Sequence, residues 1–547
     1  MKLLFASIGA VLLVAGVGIY LSEPDVQTAV PVIYWVIDPA PARGEQIALF
    51  HRWQLKKGHC TTHTIKTMSD LRAFRRRHWS PAMREAVTEA NAEGAKAFDP
   101  ATAEADLPIT VRVPLTEMRL DAASNDLDKK LVQGVSGVAG DVIEAYSGGM
   151  QMRYFQSAGM LADVTEDAKR LDFGPDKTYP ALAPALFVDG RQYAFPRNPA
   201  QTMYWVNKDA FIRCGQPLPP SRWTIEEFER RGKAYVKAAN KPGERQRFFF
   251  ANSAFTTELH RSMGLSVFNE TLTRCTLGDP RYAKLLGLVY KWTYEDHIVP
   301  SPADLASFDV EGGWGGANFQ LFKTGEFAML RSGRWALMLL RKFGTMNLVV
   351  VEPPHGGRPN TVLSGGQTTV YRGSHHRDLA VLFMAYMADE DYNMQIVRDG
   401  DALPPNPKYA ETELFRHPPD HRNEWGCHEA YLNAAKNIAI VQSFSPFVLP
   451  VIVARAQNWA NGEVMNQRAT PEEAAAECAE RINEEIERTL TENPGLRAKY
   501  DEWVELQERI DECRRENRPI PSEWIKNPFH RTIYREKGWL GDPETGT

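Results

Sequence analysis

Two tryptophans in glycine-rich surroundings point to ligand binding. The stretch from Gly312 to Phe343 reads GGWGGANFQLFKTGEFAMLRSGRWALMLLRKF. Trp314 lies among Gly312, Gly313, Gly315 and Gly316, and Trp335 follows a tight Ser332-Gly333 turn. Ser332 stands where a helix N-cap is expected, and residues 335–343 read as a helix ended by Gly344. Ahead of it, Phe319, Leu321 and Phe322 form the apolar face of a short helix stopped by Gly325, and residues 327–330 read as a buried strand. Backbone N–H groups left free at a helix start, beside an indole face, suit a polar ligand with flat apolar patches. The competing reading of Trp335 is a core indole packed between strand and helix.

Other reactive constellations are missing from the chain. There is no G-x-x-x-x-G-K-[ST] phosphate loop, no G-x-S-x-G nucleophile elbow and no H-E-x-x-H zinc motif. His59, Cys60 and His63 have metal-ligand chemistry but lack a second ligand cluster. Cys60, Cys214, Cys275, Cys427, Cys478 and Cys513 are scattered with no C-x-x-C pair, so disulfides are permitted but not required. No metal and no cofactor is expected.

The composition fits a folded, exported protein. The 547 residues are enough for two or three domains, with 43% hydrophobic and 24% charged residues. The net charge of −5 argues against nucleic acid as a partner, which calls for a basic excess. Residues 1–22 hold Lys2 and then an unbroken apolar run, the mark of a secretory signal or a membrane anchor. The run is close to bilayer length and no A-x-A cleavage site follows it, which tips the reading toward an anchor.

Elements that would position a site alternate between strand and helix. Residues 30–37 (VPVIYWVI) are predicted as a first strand broken by Asp38-Pro39, and residues 45–57 as a helix. Residues 59–108 read as a helical insertion in which Ser80-Pro81 opens a helix. Residues 109–115 (ITVRVPL) are predicted as the second strand and residues 127–132 as part of a helix. Glu144, Tyr146 and Ser147 fall at the end of a strand, where open α/β sheets bind ligands. Thr224 with Glu227 reads as a capping box, and Thr470, Pro471 and Glu473 open a long helix through Leu490.

The order of these pieces resembles the extracellular solute-binding proteins of ABC importers, sugar-binding type (family 1, maltose-binding-protein-like). The resemblance rests on Phe322, Gly325, Ala328, Met329, Gly333 and Trp335; on Asp141, Val142, Ile143, Gly159, Leu161, Asp163 and Thr165; and on Pro196, Tyr204, Asn207, Lys208 and Asp209. Trp223 and Thr224 continue it, followed by Pro353, Gly365, Gly366, Ala380, Phe383 and Pro404. Gly140 stands where that family usually has proline. The resemblance implies an α/β, two-lobed periplasmic-binding-protein-like fold (type II), its lobes joined by hinge crossovers behind an N-terminal signal or transmembrane helix.

It further implies lobe 1 at 30–202, lobe 2 at 203–347, a lobe 1 return at 348–388 and a lobe 2 return at 389–490, with 491–547 as a helical extension. The ligand contacts it implies are Trp35, Asp38, Glu144, Tyr146, Ser147, Asn198, Trp314, Trp335, Ser364 and Gln367. The implied function is capture of a carbohydrate by a monomer at the outer face of the cytoplasmic membrane, and delivery to a permease whose ATPase is another chain. Two alternatives share these residues. An exported glycosidase would use two of Asp38, Glu144, Glu311 and Asp401 as facing carboxylates. A membrane-tethered sugar sensor or scaffold would use the insertion and the extension for protein contacts.

Overall fold

The structure, a computed structural model, describes residues 30–541 except 76, 78, 92–106, 122–125, 147–148, 255 and 309–315. The apolar run at 1–22, and Ser147, Glu311 and Trp314, lie outside the described residues. Among the described residues no helix is long and apolar enough to cross a membrane.

Two sheets organise the chain. The first has six strands, in the order Ala439–Val441, Thr361–Val370, Val142–Ala145, Val32–Val36, Glu117–Asp121, with Phe195–Gln201 also pairing along Thr361–Val370. Val32–Val36 runs parallel to both of its neighbours, while Thr361–Val370 runs antiparallel to Val142–Ala145. A parallel strand covered on both faces must be apolar on both. Accordingly, Ile33 and Trp35 enter one cluster with Phe50, Trp53 and Phe383, and Val36 enters another with Ile143 and Phe155. The helix Arg43–Lys57 covers the first face with Ile47, Phe50 and Trp53 and ends at Gly58, whose left-handed φ of 80° lets its N–H return to Gln54 and Leu55. The second sheet has four strands, in the order Phe249–Ala251, Phe327–Ser332, Met203–Asn207, Leu348–Val351.

Among the described residues the chain crosses between the sheets three times. It passes at Thr202 from Phe195–Gln201 into Met203–Asn207 and returns between Val351 and Thr361. It leaves again after Val441 to bury Phe447 and Val448 in the core of the second lobe. Beyond the capped helix Pro471–Glu492, where Thr470 and Glu473 form a full capping box, the extension folds as helices Arg497–Arg515 and Pro528–Glu536.

Several sequence expectations shift. The strand beside Val32–Val36 is Glu117–Asp121; Ile109–Pro114 instead pairs with Cys60–Ile65 in a separate two-stranded sheet. The reason is one-sided burial. Ile109, Val111 and Val113 pack on the helices Met68–Arg75 and Pro81–Ala90 while the alternate residues are exposed. The charges of Glu117 and Arg119 disguise the true sheet strand; Glu117 is buried and answered by Arg119 at 3.0 Å and by the Ser80 N–H at 2.8 Å. The return expected at 348 comes later, because Leu348–Val351 pairs with Met203–Asn207. The helix Glu390–Asp399, expected in lobe 2, buries Tyr392 and Ile396 in the cluster around Trp35. Thr224 accepts from the Glu227 N–H, half of the expected capping box. All six cysteines are free thiols.

Candidate functional site

The ends of the first-sheet strands and the carboxyl end of the second-sheet strand Phe327–Ser332 enclose a cleft of about 450 Å³. Asp38 follows the strand Val32–Val36 and Tyr146 follows Val142–Ala145, so both stand at carboxyl ends of parallel strands, the usual ligand position in such sheets. Asn198 and Ser364 come from the paired strands Phe195–Gln201 and Thr361–Val370. The second lobe contributes Glu258, Arg331, Trp335 and Met338.

The first-lobe wall rests on a buried ion network. Asp401 accepts from Arg43 Nη1 at 2.6 Å, Asn198 Nδ2 at 2.7 Å, Gln46 Nε2 at 3.2 Å and Arg197 Nη1 at 3.4 Å. Arg197 Nε donates to Glu144 Oε1 at 2.7 Å, and Thr368 Oγ1 donates to Glu144 Oε2 at 2.9 Å. Arg43 also reaches Asp38 Oδ1 at 3.4 Å, and the Tyr146 hydroxyl donates to the same oxygen. Burial alone raises the Asp401 carboxyl, but Arg43 and Arg197 outweigh it and hold the group at about 2. Burial lowers the Lys130 amine to about 8; it donates to the Glu144 carbonyl at 2.7 Å and lies 5.0 Å from the Tyr146 ring centre. Burial pushes the Tyr146 phenol well above its ordinary value.

The glycines Gly365 and Gly366 are there because this network leaves them no room. A Cβ at Gly366 would meet Glu144 Oε1 at 2.3 Å and Asn198 Oδ1 at 2.4 Å. A Cβ at Gly365, φ 115°, would meet the Asn198 carbonyl at 2.4 Å. The Gly366 N–H donates to Asn198 Oδ1 at 3.0 Å.

The expected contacts divide accordingly. Asp38, Tyr146, Asn198, Ser364 and Trp335 line the cleft. Trp35 does not. It is fully buried, with Phe383 edge-on at 5.1 Å and the Arg43 and Arg197 guanidiniums 5.9 and 5.7 Å from its ring centre. Glu144 is fully buried, with both oxygens engaged. Gln367 is fully buried and donates to the Ala185 carbonyl at 3.0 Å. Arg43, Arg197, Glu258 and Arg331 were not singled out from the sequence, because a charged residue carries no local mark of burial. Glu258 is 1% exposed and lies 3.8 Å from Arg331.

Trp335 is half-buried and tilted on Phe319 at 5.7 Å, leaving part of its ring to the cleft. Its base differs from the expectation. Ser332 is the last residue of the strand Phe327–Ser332 and caps nothing. The helix is broken into a 3-10 turn Arg334–Ala336, a short α segment Leu337–Leu340 and a second 3-10 turn ending at Gly344. Arg334 fixes that turn from beneath. It is 1% exposed, donates to the Ala402 carbonyl at 2.6 Å and the Val397 carbonyl at 3.0 Å, and burial lowers it to about 9.

Comparisons with known proteins agree with this architecture. The sequence profile of the family described as bacterial extracellular solute-binding protein matches residues 97–423. No curated protein sequence matches the chain. Among solved structures, an ABC substrate-binding protein from Listeria monocytogenes in complex with cycloalternan superposes with a TM-score of 0.62 at 19% identity, over 83% of this chain and 99% of that one. A solute-binding protein from Thermotoga lettingae bound with α-D-tagatose gives 0.60 at 14% identity, over 83% and 100%. The maltose/maltodextrin-binding domain from Bdellovibrio bacteriovorus bound to maltotriose gives 0.59 at 13% identity, over 84% and 100%. With the two-lobed fold, the cleft between the lobes and a profile match over more than half its length, this chain belongs to the bacterial extracellular solute-binding proteins.

Proposed function

We propose that the cleft binds a carbohydrate and that the protein hands it to an ABC permease energised by a separate ATPase. The observation that carries this reading is Trp335, a half-buried indole on a cleft wall that also presents carboxylate, hydroxyl, amide and guanidinium groups. A pyranose stacks its C–H face on an indole, and its hydroxyls need donors and acceptors around the rim. Asp38, Tyr146, Asn198, Ser364, Glu258 and Arg331 supply them from both lobes. A volume of about 450 Å³ lies in the range of small-ligand pockets. The similar structures named above hold cycloalternan, tagatose and maltotriose, which supports a sugar.

In this reading lobe 1 comprises residues 30–202 and 361–441, and lobe 2 comprises 203–351 and 442–490. Ser147 and Trp314, outside the described residues, are kept as proposed ligand contacts. The protein acts as a monomer outside the cytoplasm, held at the membrane by its N-terminal apolar run. A thermal-shift screen against mono- and oligosaccharides, with mass spectrometry of co-purified ligand, tests the function. A sugar that raises the melting temperature supports it; no shift and no bound carbohydrate refutes it. N-terminal sequencing of the exported protein tests the tether, and a mature start near Glu23 overturns it.

A further inference from the structure

The C-terminal extension lies against the hinge and touches both lobes. On the second-lobe side, Tyr500 and Trp503 meet Phe447 edge-on at 5.0 and 5.4 Å, and the Lys526 and Asn527 N–H groups donate to the Glu270 carbonyl at 2.9 Å. On the first-sheet side, Ile440 of the edge strand is buried among Ile510, Ile520, Trp524, Phe529 and Ile533. Lys499 pairs with Asp189 of a first-lobe hairpin at 2.7 Å. Between those anchors the extension grips two of the three crossing segments. Ser443 Oγ donates to Asn527 Oδ1 at 2.6 Å, both residues buried, while Asn527 Nδ2 donates to Ser266 Oγ at 3.0 Å and the Phe268 carbonyl at 2.9 Å. Glu536 pairs with Arg358 in the segment between Val351 and Thr361. Arg261 adds a cross-tie, donating to the Ile440 and Val441 carbonyls at 3.0 and 2.7 Å with its guanidinium 5.4 Å from the Phe529 ring centre.

Hinge bending is absorbed by a few residues in crossing segments. Here residues 442–446 are bracketed by Ile440 and Phe447, and both pack on the extension. A bend that moves one relative to the other must shear a buried apolar cluster and strain the Asn527 hydrogen bonds. We propose that the extension is a hinge clamp: it holds the ligand-free lobes near the present cleft geometry and so sets the fraction of protein ready to bind. The clamp rests on the two-lobed trap reading, but its primary readout needs no ligand. Apparent affinity scales with the binding-competent fraction, so a tenfold fall in that fraction weakens binding about tenfold.

The chain carries its own reporters. Cys60 in the first lobe and Cys214 in the second are half-buried, while the other four thiols are buried. Spin labels on Cys60 and Cys214 then report the lobe separation by pulsed dipolar spectroscopy. Two variants loosen the clamp differently: Phe529→Ala thins the apolar cluster, and Asn527→Ala cuts the buried hydrogen bonds. The expected result in ligand-free protein is a longer and broader distance distribution in both, with unchanged far-UV circular dichroism. Wild-type distributions in both variants overturn the clamp. A wild-type distribution that no co-purified sugar changes refutes the trap, while the ligand-free shift in the variants still decides the clamp.

Discussion

Asp401→Asn tests whether the buried ion network builds the cleft wall. The carboxylate is 1% exposed and accepts hydrogen bonds from Arg43, Arg197, Asn198 and Gln46. Despite the cost of burial, the two guanidiniums hold it at about 2 in the folded chain. An unfolded aspartate titrates near 3.9, and that difference corresponds to about 2.6 kcal/mol of stability at neutral pH. Because the folded value is depressed, this stability is fully present above about pH 4 and is lost as pH falls through about 4 toward about 2. Asparagine removes the charge and leaves Arg43 and Arg197 short of one buried anion. Breaking a buried pair from one side costs about 3–5 kcal/mol, so the loss at pH 7 should fall between about 2.6 and about 5 kcal/mol. Urea unfolding of both proteins at pH 7 and pH 3 is the assay. The gap should narrow by about 1.3 kcal/mol at pH 3, where the wild type has already lost about half of the linked stability. An unchanged midpoint at pH 7, or an equal gap at both pH values, refutes the reasoning.

Three further outcomes are expected. Trp335→Ala removes a half-buried ring, so it should cost less than the roughly 3–5 kcal/mol of a core indole while weakening sugar binding by about 1–3 kcal/mol, roughly 5- to 150-fold; paired urea melts and calorimetric titrations separate the two, and a large stability loss with native affinity contradicts stacking. Gly366→Ala forces a methyl group into the Glu144–Arg197–Asn198 contact and should destabilise by about 3–5 kcal/mol, read as a drop in melting temperature and soluble yield. Asp399, raised to about 6 by burial and then by Asp401, carries a penalty that is absent below about pH 4 and complete above about pH 6. Asp399→Asn should therefore stabilise by up to about 3 kcal/mol at pH 7 and flatten the stability profile between pH 4 and 6.

What was legible in the sequence was local backbone chemistry. Ser80 accepts from the Met83 N–H, Thr470 closes its box with Glu473, and Gly325 ends its helix at a φ of 86°. Each depends on residues within four positions, so a single strand of text contains it. The failures lie where the partner is distant. Ser332 reads as a cap, yet pairing with Met203 carries the strand through it. Trp35, a ligand contact implied by the resemblance, is instead buried against Phe383 and Arg197, both far along the chain. Glu117 and Arg119 carry no strand signal of their own, because their mutual pairing is invisible until the strand is built.

The same distant pairings bear on glycoside hydrolysis through Asp38, Glu144 and Asp401, the fourth candidate carboxylate, Glu311, lying outside the described residues. A glycosidase needs one carboxyl kept protonated near neutral pH and a second free to act as base or nucleophile. Asp401 is driven the opposite way, to about 2, by Arg43 and Arg197. Glu144 spends one oxygen on Arg197 and the other on Thr368 with no exposure to the cleft. Asp38 shares one oxygen between Arg43 and the Tyr146 hydroxyl. Asp399, the buried acid whose value does rise toward 6, sits behind the wall on Gln46 and Gln395 rather than among the residues that line the cleft. Carboxylates so committed fix guanidinium, amide and phenol groups in place before a ligand arrives. A wall ordered in advance loses less entropy on binding, and that serves recognition of hydroxyl groups rather than proton transfer to a glycosidic oxygen.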